Sequence, residues 1–187
     1  MAAHELILGG QRSGKSRCAE ARAAAWLTPP GHAAVLLATA LAGDDEMRAR
    51  IARHRADRAR RVAGLATIEV PRDLAAVLRA HSVPNRLVLV DCLSLWLTNL
   101  LMPMQGEALD DTALADARDA LCDALAAASG PVVLVSNEIG LGITPLSHEA
   151  RRFVDELGRL HQRVAAVCSN VTWMVAGIEM PLKRGRP

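Results

Sequence analysis

The segment Gly9-Gly10-Gln11-Arg12-Ser13-Gly14-Lys15-Ser16 fits the pattern G-x-x-x-x-G-K-[ST], and a strand-length apolar run, Glu5–Leu8, leads into it. Few folds accommodate that order. The glycines let the backbone curl so that its N–H groups converge on phosphate oxygens. The lysine brings a cation to the β- and γ-phosphates, and the Ser16 hydroxyl is placed to ligate Mg²⁺. A helix starting at Lys15 adds the positive end of its dipole. The expectation is a nucleotide-binding enzyme whose triphosphate sits on Gly9 to Ser16.

The remainder of the chain has the alternation such a loop requires. Short apolar runs occur at Ala34–Ala38, Thr67–Val70, Leu87–Val90, Val132–Val135 and Val171–Ala176. Several are almost continuously β-branched or leucine, as expected of strands covered on both faces. Helical candidates separate them: Lys15–Trp26, Asp44–Arg58, Arg72–Ala80, Leu93–Leu101, Asp111–Ala128 and His148–Cys168. This predicts an α/β fold of the P-loop NTPase, RecA-like type, a mainly parallel sheet with right-handed crossovers flanked by helices. Pro29-Pro30-Gly31 and Ser129-Gly130-Pro131 read as turns. With 187 residues, no repeat and no linker, residues 1–187 read as one nucleotide-binding catalytic domain.

Composition narrows the partners. Aromatic residues make up only 2% of the chain, so the core must be packed from Leu, Val, Ile and Ala. A net charge of +2 gives no reason to expect nucleic acid. The cysteines Cys18, Cys92, Cys122 and Cys168 are scattered, which suits reduced thiols in a cytoplasmic protein rather than zinc or disulfides. No apolar run approaches the length of a membrane span, and the N-terminus does not read as a signal peptide.

An acidic residue is expected on a strand end beside the loop. Leu87-Val88-Leu89-Val90-Asp91 has that form, and Asp91 is a candidate for the Mg²⁺ shell, with strand capping as the alternative. Asn137 and Glu138 end another strand and are either cleft residues or caps. Trp96 and Trp173 read as core, and Cys92 as a buried apolar residue. In Asp44–Arg58, acids precede arginines, as a helix dipole favours. Met47, Ile51, His54 and Arg58 share one face, which should turn inward. Spacing leaves two readings open: a solvated basic helix with a histidine at its edge, or arginines gathering triphosphate charge around a nucleophilic or acid–base His54.

The ordered set GGQRSGKS, LATA, DDEMRARIARHRADR, LVDCLSLWLTNLL, VSNEIGLGITP and VAGI resembles one family over nearly the whole chain. It is the bifunctional adenosylcobinamide kinase / adenosylcobinamide-phosphate guanylyltransferase family of cobalamin nucleotide-loop assembly. The resemblance implies transfer of a γ-phosphoryl group from ATP or GTP to the hydroxyl of adenosylcobinamide. It also implies attack of a histidine on the α-phosphate of GTP, then passage of GMP to adenosylcobinamide phosphate. The guanylylated histidine falls on His54, with Lys15 as its catalytic cation. Nucleotide contacts fall on Gly9, Gly10, Gln11, Arg12, Ser13, Gly14, Lys15 and Ser16. Further contacts fall on Ala38, Thr39, Ala40, His54, Arg55, Ala56, Asp57, Glu69 and Asp91, and the Mg²⁺ ligands on Ser16 and Asp91. Arg48, Arg50, Arg53 and Arg55 are candidate phosphate cations. The resemblance further implies a corrinoid partner and a homotrimer. The stretch Asp57–Glu69 departs from the family in length and in lacking Pro and Trp, and Arg53 stands where some relatives have a second histidine. Three other readings keep the loop: a plain small-molecule kinase, a recombinase-like DNA-binding ATPase, and a regulatory module without chemistry.

Overall fold

The computed structural model describes residues 3–185, apart from the side chain of Arg50. Seven strands form one sheet in the order β3-β2-β4-β5-β1-β6-β7. They are β1 (Glu5–Gly9), β2 (Ala33–Ala38), β3 (Ala66–Glu69), β4 (Arg86–Asp91), β5 (Val132–Asn137), β6 (Asn170–Val175) and β7 (Ile178–Lys183). The first six run parallel, and β7 pairs antiparallel with β6. Six helices connect them: α1 (Lys15–Trp26), α2 (Asp45–Arg61), α3 (Leu74–His81), α4 (Leu93–Leu101), α5 (Asp111–Ala126) and α6 (His148–Val167).

Alternate residues of each central strand feed two cores. Leu6, Leu37, Val88, Val90 and Leu134 pack on one face against leucines of α3 to α6. Ile7, Leu36, Leu89, Val133 and Val135 pack on the other against Cys18, Ala19 and Ala23 of α1. Small residues on α1 let it lie close to the sheet, which is how an aromatic-poor chain still packs densely. All four cysteines are free and buried. Burial pushes the thiols of Cys18 and Cys168 up to about 12.

Three elements differ from the sequence expectation. The last is an added strand: Ala176 and Gly177, at φ 52° and 81°, make a two-residue hairpin after β6. The expected strand Val171–Ala176 therefore ends at Val175 and returns as β7. β7 is exposed throughout and carries Pro181, as an edge strand tolerates. Helix α2 runs one turn beyond Arg58, and buried Val62 follows its end. Its start is capped by Asp44, whose carboxylate accepts the Met47 N–H at 2.7 Å. Helix α3 begins two residues later than expected.

Candidate active site

Parallel register lines up the strand ends that matter. Glu69, Ala38 and Asp91 stand abreast on β3, β2 and β4, and Asn137, Gly9 and Met174 stand abreast on β5, β1 and β6. The phosphate loop springs from the middle of this edge. Gly9 has φ 155°, and a Cβ there would lie 2.4 Å from the Met174 carbonyl oxygen, so only glycine fits between the strands. Gly14, at φ 100°, ends the loop without a side-chain cap on α1 and leaves its first N–H groups to a ligand.

Lys15 is buried, and its ammonium donates to the Gly10 carbonyl at 2.6 Å. Burial lowers its pKa, and the Asp91 charge partly offsets this. An anion arriving on the loop therefore meets a cation already stripped of most of its water.

A cavity of about 680 Å³ opens above the loop. Gln11 to Ser16 form its floor, Ala38, Ala40, Glu69, Asp91 and Asn137 its strand-end rim, and α2 contributes the opposite wall. His54 lines that wall with its side chain exposed to the cavity, accompanied by Arg53, Arg55 and Asp57. Arg55 forms an ion pair with Glu69, joining α2 to the end of β3 one residue past His54. The longer connection after the histidine thus still brings Glu69 to the cleft.

Some expected residues are placed elsewhere. Gly9, Gly10 and Ala56 do not line the cavity. Thr39 is fully buried, donating to the Cys92 carbonyl at 2.7 Å and accepting the Cys92 N–H at 2.9 Å. Its own backbone is clamped by Asn99, which donates to the Thr39 carbonyl at 2.8 Å. Thr39 therefore holds Cys92 beneath the cleft, while its neighbours Ala38 and Ala40 line the cavity. Arg48 pairs with Asp45 away from the cleft. Trp96 and Cys92 are buried.

The sequence reading named Arg58 and Glu138 but missed the partners that hold them, Glu20 and His161. Glu20, on α1, is buried and faces Arg58 at 3.7 Å and Arg61 at 2.9 Å, tying the last turns of α2 to the core. Arg58 and Arg61 also line the cavity. Behind the rim, His161 of α6 meets the Ser136 hydroxyl at 2.7 Å and the Glu138 carboxylate at 3.5 Å. Burial lowers the His161 pKa while Glu138 pulls it back up.

Residues 5–182 match the family described as cobinamide kinase / cobinamide phosphate guanyltransferase. The chain belongs to this family. It is 51% identical over 183 residues to the bifunctional adenosylcobalamin biosynthesis protein CobP of Pseudomonas aeruginosa, covering 98% of each chain. It is 37% identical to the bifunctional adenosylcobalamin biosynthesis protein CobU of Salmonella typhimurium, covering 95% of this chain and 98% of that protein. Solved structures share the fold at low identity. The flagellar accessory protein FlaH of Methanocaldococcus jannaschii has TM-score 0.50 and 12% identity, over 98% of this chain and 79% of that one. A Pyrococcus horikoshii protein has TM-score 0.57 and 8% identity, over 98% and 87%. The family membership identifies a bifunctional kinase and nucleotidyltransferase of adenosylcobalamin biosynthesis. No helix among the described residues is long and apolar enough to cross a membrane.

Proposed function

We propose that one cleft carries both reactions, and that His54 is the residue that takes GMP. The observation behind this reading is the shared cavity, with the phosphate loop on its floor and His54 on the facing wall. In the kinase step, the hydroxyl oxygen of adenosylcobinamide attacks the γ-phosphorus of ATP or GTP. The bond to the β–γ bridging oxygen breaks, the diphosphate leaves, and the hydroxyl proton is released to solvent. Lys15 and the loop N–H groups stabilise the charge that shifts onto the leaving diphosphate.

In the second reaction a neutral His54 imidazole nitrogen attacks the α-phosphorus of GTP. The α–β bridging bond breaks, pyrophosphate leaves, and the ring loses its N–H proton. A phosphate oxygen of adenosylcobinamide phosphate then attacks the same phosphorus. The P–N bond breaks as the ring nitrogen takes back a proton, giving adenosylcobinamide-GDP and free His54. Arg53 and Arg55 are the natural cations for the leaving pyrophosphate, since both line the wall beside His54. Arg55 would exchange its Glu69 partner for phosphate.

Ser16 and Asp91 both line the cleft. No cluster of three His, Cys, Asp or Glu groups suited to a metal occurs among the described residues. Two oxygen donors completed by phosphate oxygens and water fit Mg²⁺, which favours few protein ligands. Bound there, it would neutralise charge on the departing phosphates. A single catalytic domain, a homotrimeric assembly and a cytoplasmic location belong to the same proposal, by family resemblance.

The test is incubation with α-³²P-GTP and Mg²⁺ followed by denaturation, for the wild type and His54→Ala. Acid-labile, base-stable label on the wild type alone is expected, with the kinase activity of the variant retained. No label on either protein would leave a phosphate-loop kinase with a structural histidine.

A further inference from the structure

On leaving β5 the chain makes an excursion, residues 138–147, with four large apolar side chains in solvent. Ile139 is 43% exposed, Leu141 79%, Ile143 99% and Leu146 97%. Single exposed leucines are ordinary, but four within eight residues form a patch of the kind that marks a binding surface. Water contact at each forgoes about 1.5–3 kcal/mol available on full burial.

The backbone of this loop is tied at both ends. The Glu138 N–H donates to the Gly9 carbonyl at 3.0 Å, and the Glu138 carboxylate accepts the Gly140 N–H at 2.5 Å and faces His161. At the far end Arg151 donates to the Pro145 and Leu146 carbonyls at 3.1 and 2.6 Å, and Ser147 caps α6 by accepting the Ala150 N–H. The loop thus starts on the first glycine of the phosphate loop, next to cleft-lining Asn137. It ends at a second cavity of about 990 Å³, lined by residues including Arg118, Arg151, Arg152, Asp155 and Glu156.

That second cavity holds four guanidinium groups and four carboxylates. Several are already paired, among them Arg118 with Glu156 and Arg152 with Asp111. Its balance of donors and acceptors is poorly suited to a phosphate anion and well suited to neutral carboxamides.

We propose that loop 138–147, together with the charged groove at its far end, is the seat of the corrinoid acceptor. The methyl-bearing macrocycle covers Leu141, Ile143 and Leu146, and its peripheral carboxamides meet the groove. Its alcohol arm crosses Asn137 into the nucleotide cleft. This inference rests on the proposed function, which requires the acceptor hydroxyl to reach the γ-phosphate. Continuity of the loop with Gly9 and Asn137 is what favours a substrate over a protein partner.

The probe is cobinamide itself, a coloured corrinoid, in equilibrium dialysis against the wild type and the Leu141→Ser/Ile143→Ser double variant. GMP-adduct formation from labelled GTP, which needs no corrinoid, is followed in parallel, and sedimentation gives the assembly mass. The expected result is at least about tenfold weaker cobinamide binding in the variant, with adduct formation and mass unchanged. Equal cobinamide binding by both proteins overturns the inference. So does weakened binding accompanied by dissociation into smaller species, which would make the loop a contact between copies of the chain. Failure of the wild type to bind cobinamide overturns the inference too, whereas absence of the GMP adduct from the wild type would instead sink the underlying functional reading.

Discussion

Replacing Glu20 by Gln removes a buried carboxylate that two arginines of α2 face, and the effect can be sized from the structure. Arg58 is 8% exposed and its Nε has no hydrogen-bond partner, so the Glu20 charge 3.7 Å away is its main compensation. At an effective dielectric of about 20 that separation corresponds to about 4 kcal/mol of attraction. Relief of the buried carboxylate's own desolvation returns part of it, leaving a net loss of about 2 kcal/mol. In a domain of this size the melting temperature should fall by about 4–8 °C. The functional consequence is selective, because Arg58 lies one helical turn beyond His54 and the floor of the cleft does not depend on it. If the loss falls on the docking of α2, adduct formation slows by up to about thirtyfold while phosphoryl transfer to cobinamide changes little. The paired assays are α-labelled GTP incorporation and γ-phosphoryl transfer, with thermal unfolding as control. Equal losses in both activities, or an unchanged melting temperature, would refute the reasoning.

Three further outcomes are expected. Thr39→Val strands the buried Cys92 N–H and should cost about 1–3 kcal/mol in denaturant unfolding, while nucleotide affinity, measured by calorimetry, stays unchanged because the side chain is off the cleft. His4 and His161 are both buried with pKa values below the ordinary 6.5, so the unfolded chain takes up protons that the folded one refuses. Stability should be complete above pH about 6.5 and fall as the pH drops below it, read as the urea midpoint at several pH values. A flat profile would contradict the burial of these rings. Finally, a non-hydrolysable ATP analogue should inhibit GMP-adduct formation competitively with GTP, since one cleft is proposed for both nucleotides; noncompetitive inhibition would require a second site.

The central strands were legible because covering both faces of a parallel sheet forces runs such as Leu87–Val90 and Val132–Val135 to be apolar at every position. β7 was not, since an exposed edge strand has no inward face to pattern, and its only signal was Ala176-Gly177 at the turn. The last turn of α2 escaped for a related reason: Ala59 to Arg61 continue no apolar stripe, and the helix is held there by charge on another element. Within the site, the placement of Gln11 to Ser16 on the cleft was readable, because these residues follow one another in the chain. Thr39 was not, because its partner lies 53 residues away on β4's exit. His161 sat on an apolar helical face between Leu157, Leu160 and Val164, and Ser136 interrupted an otherwise apolar strand. Those two misfits together were the available clue.

The two proposed reactions make opposite demands on the cleft, and the fold separates them. Phosphoryl transfer needs a fixed arrangement of donors around the β- and γ-phosphates. The floor meets that need with Gly9 wedged against Met174 and with Lys15 buried beside Asp91. A histidine that must reach an α-phosphate and then present bound GMP to a bulky acceptor needs the reverse, an open position. His54 is exposed on a helix whose buried anchors, Arg58 and Val62, lie at its C-terminal end. The Arg55–Glu69 ion pair is exposed and therefore weak, so exchanging it for a phosphate contact disturbs no buried structure. Nucleotide charge can thus recruit the wall of the cleft without altering its floor.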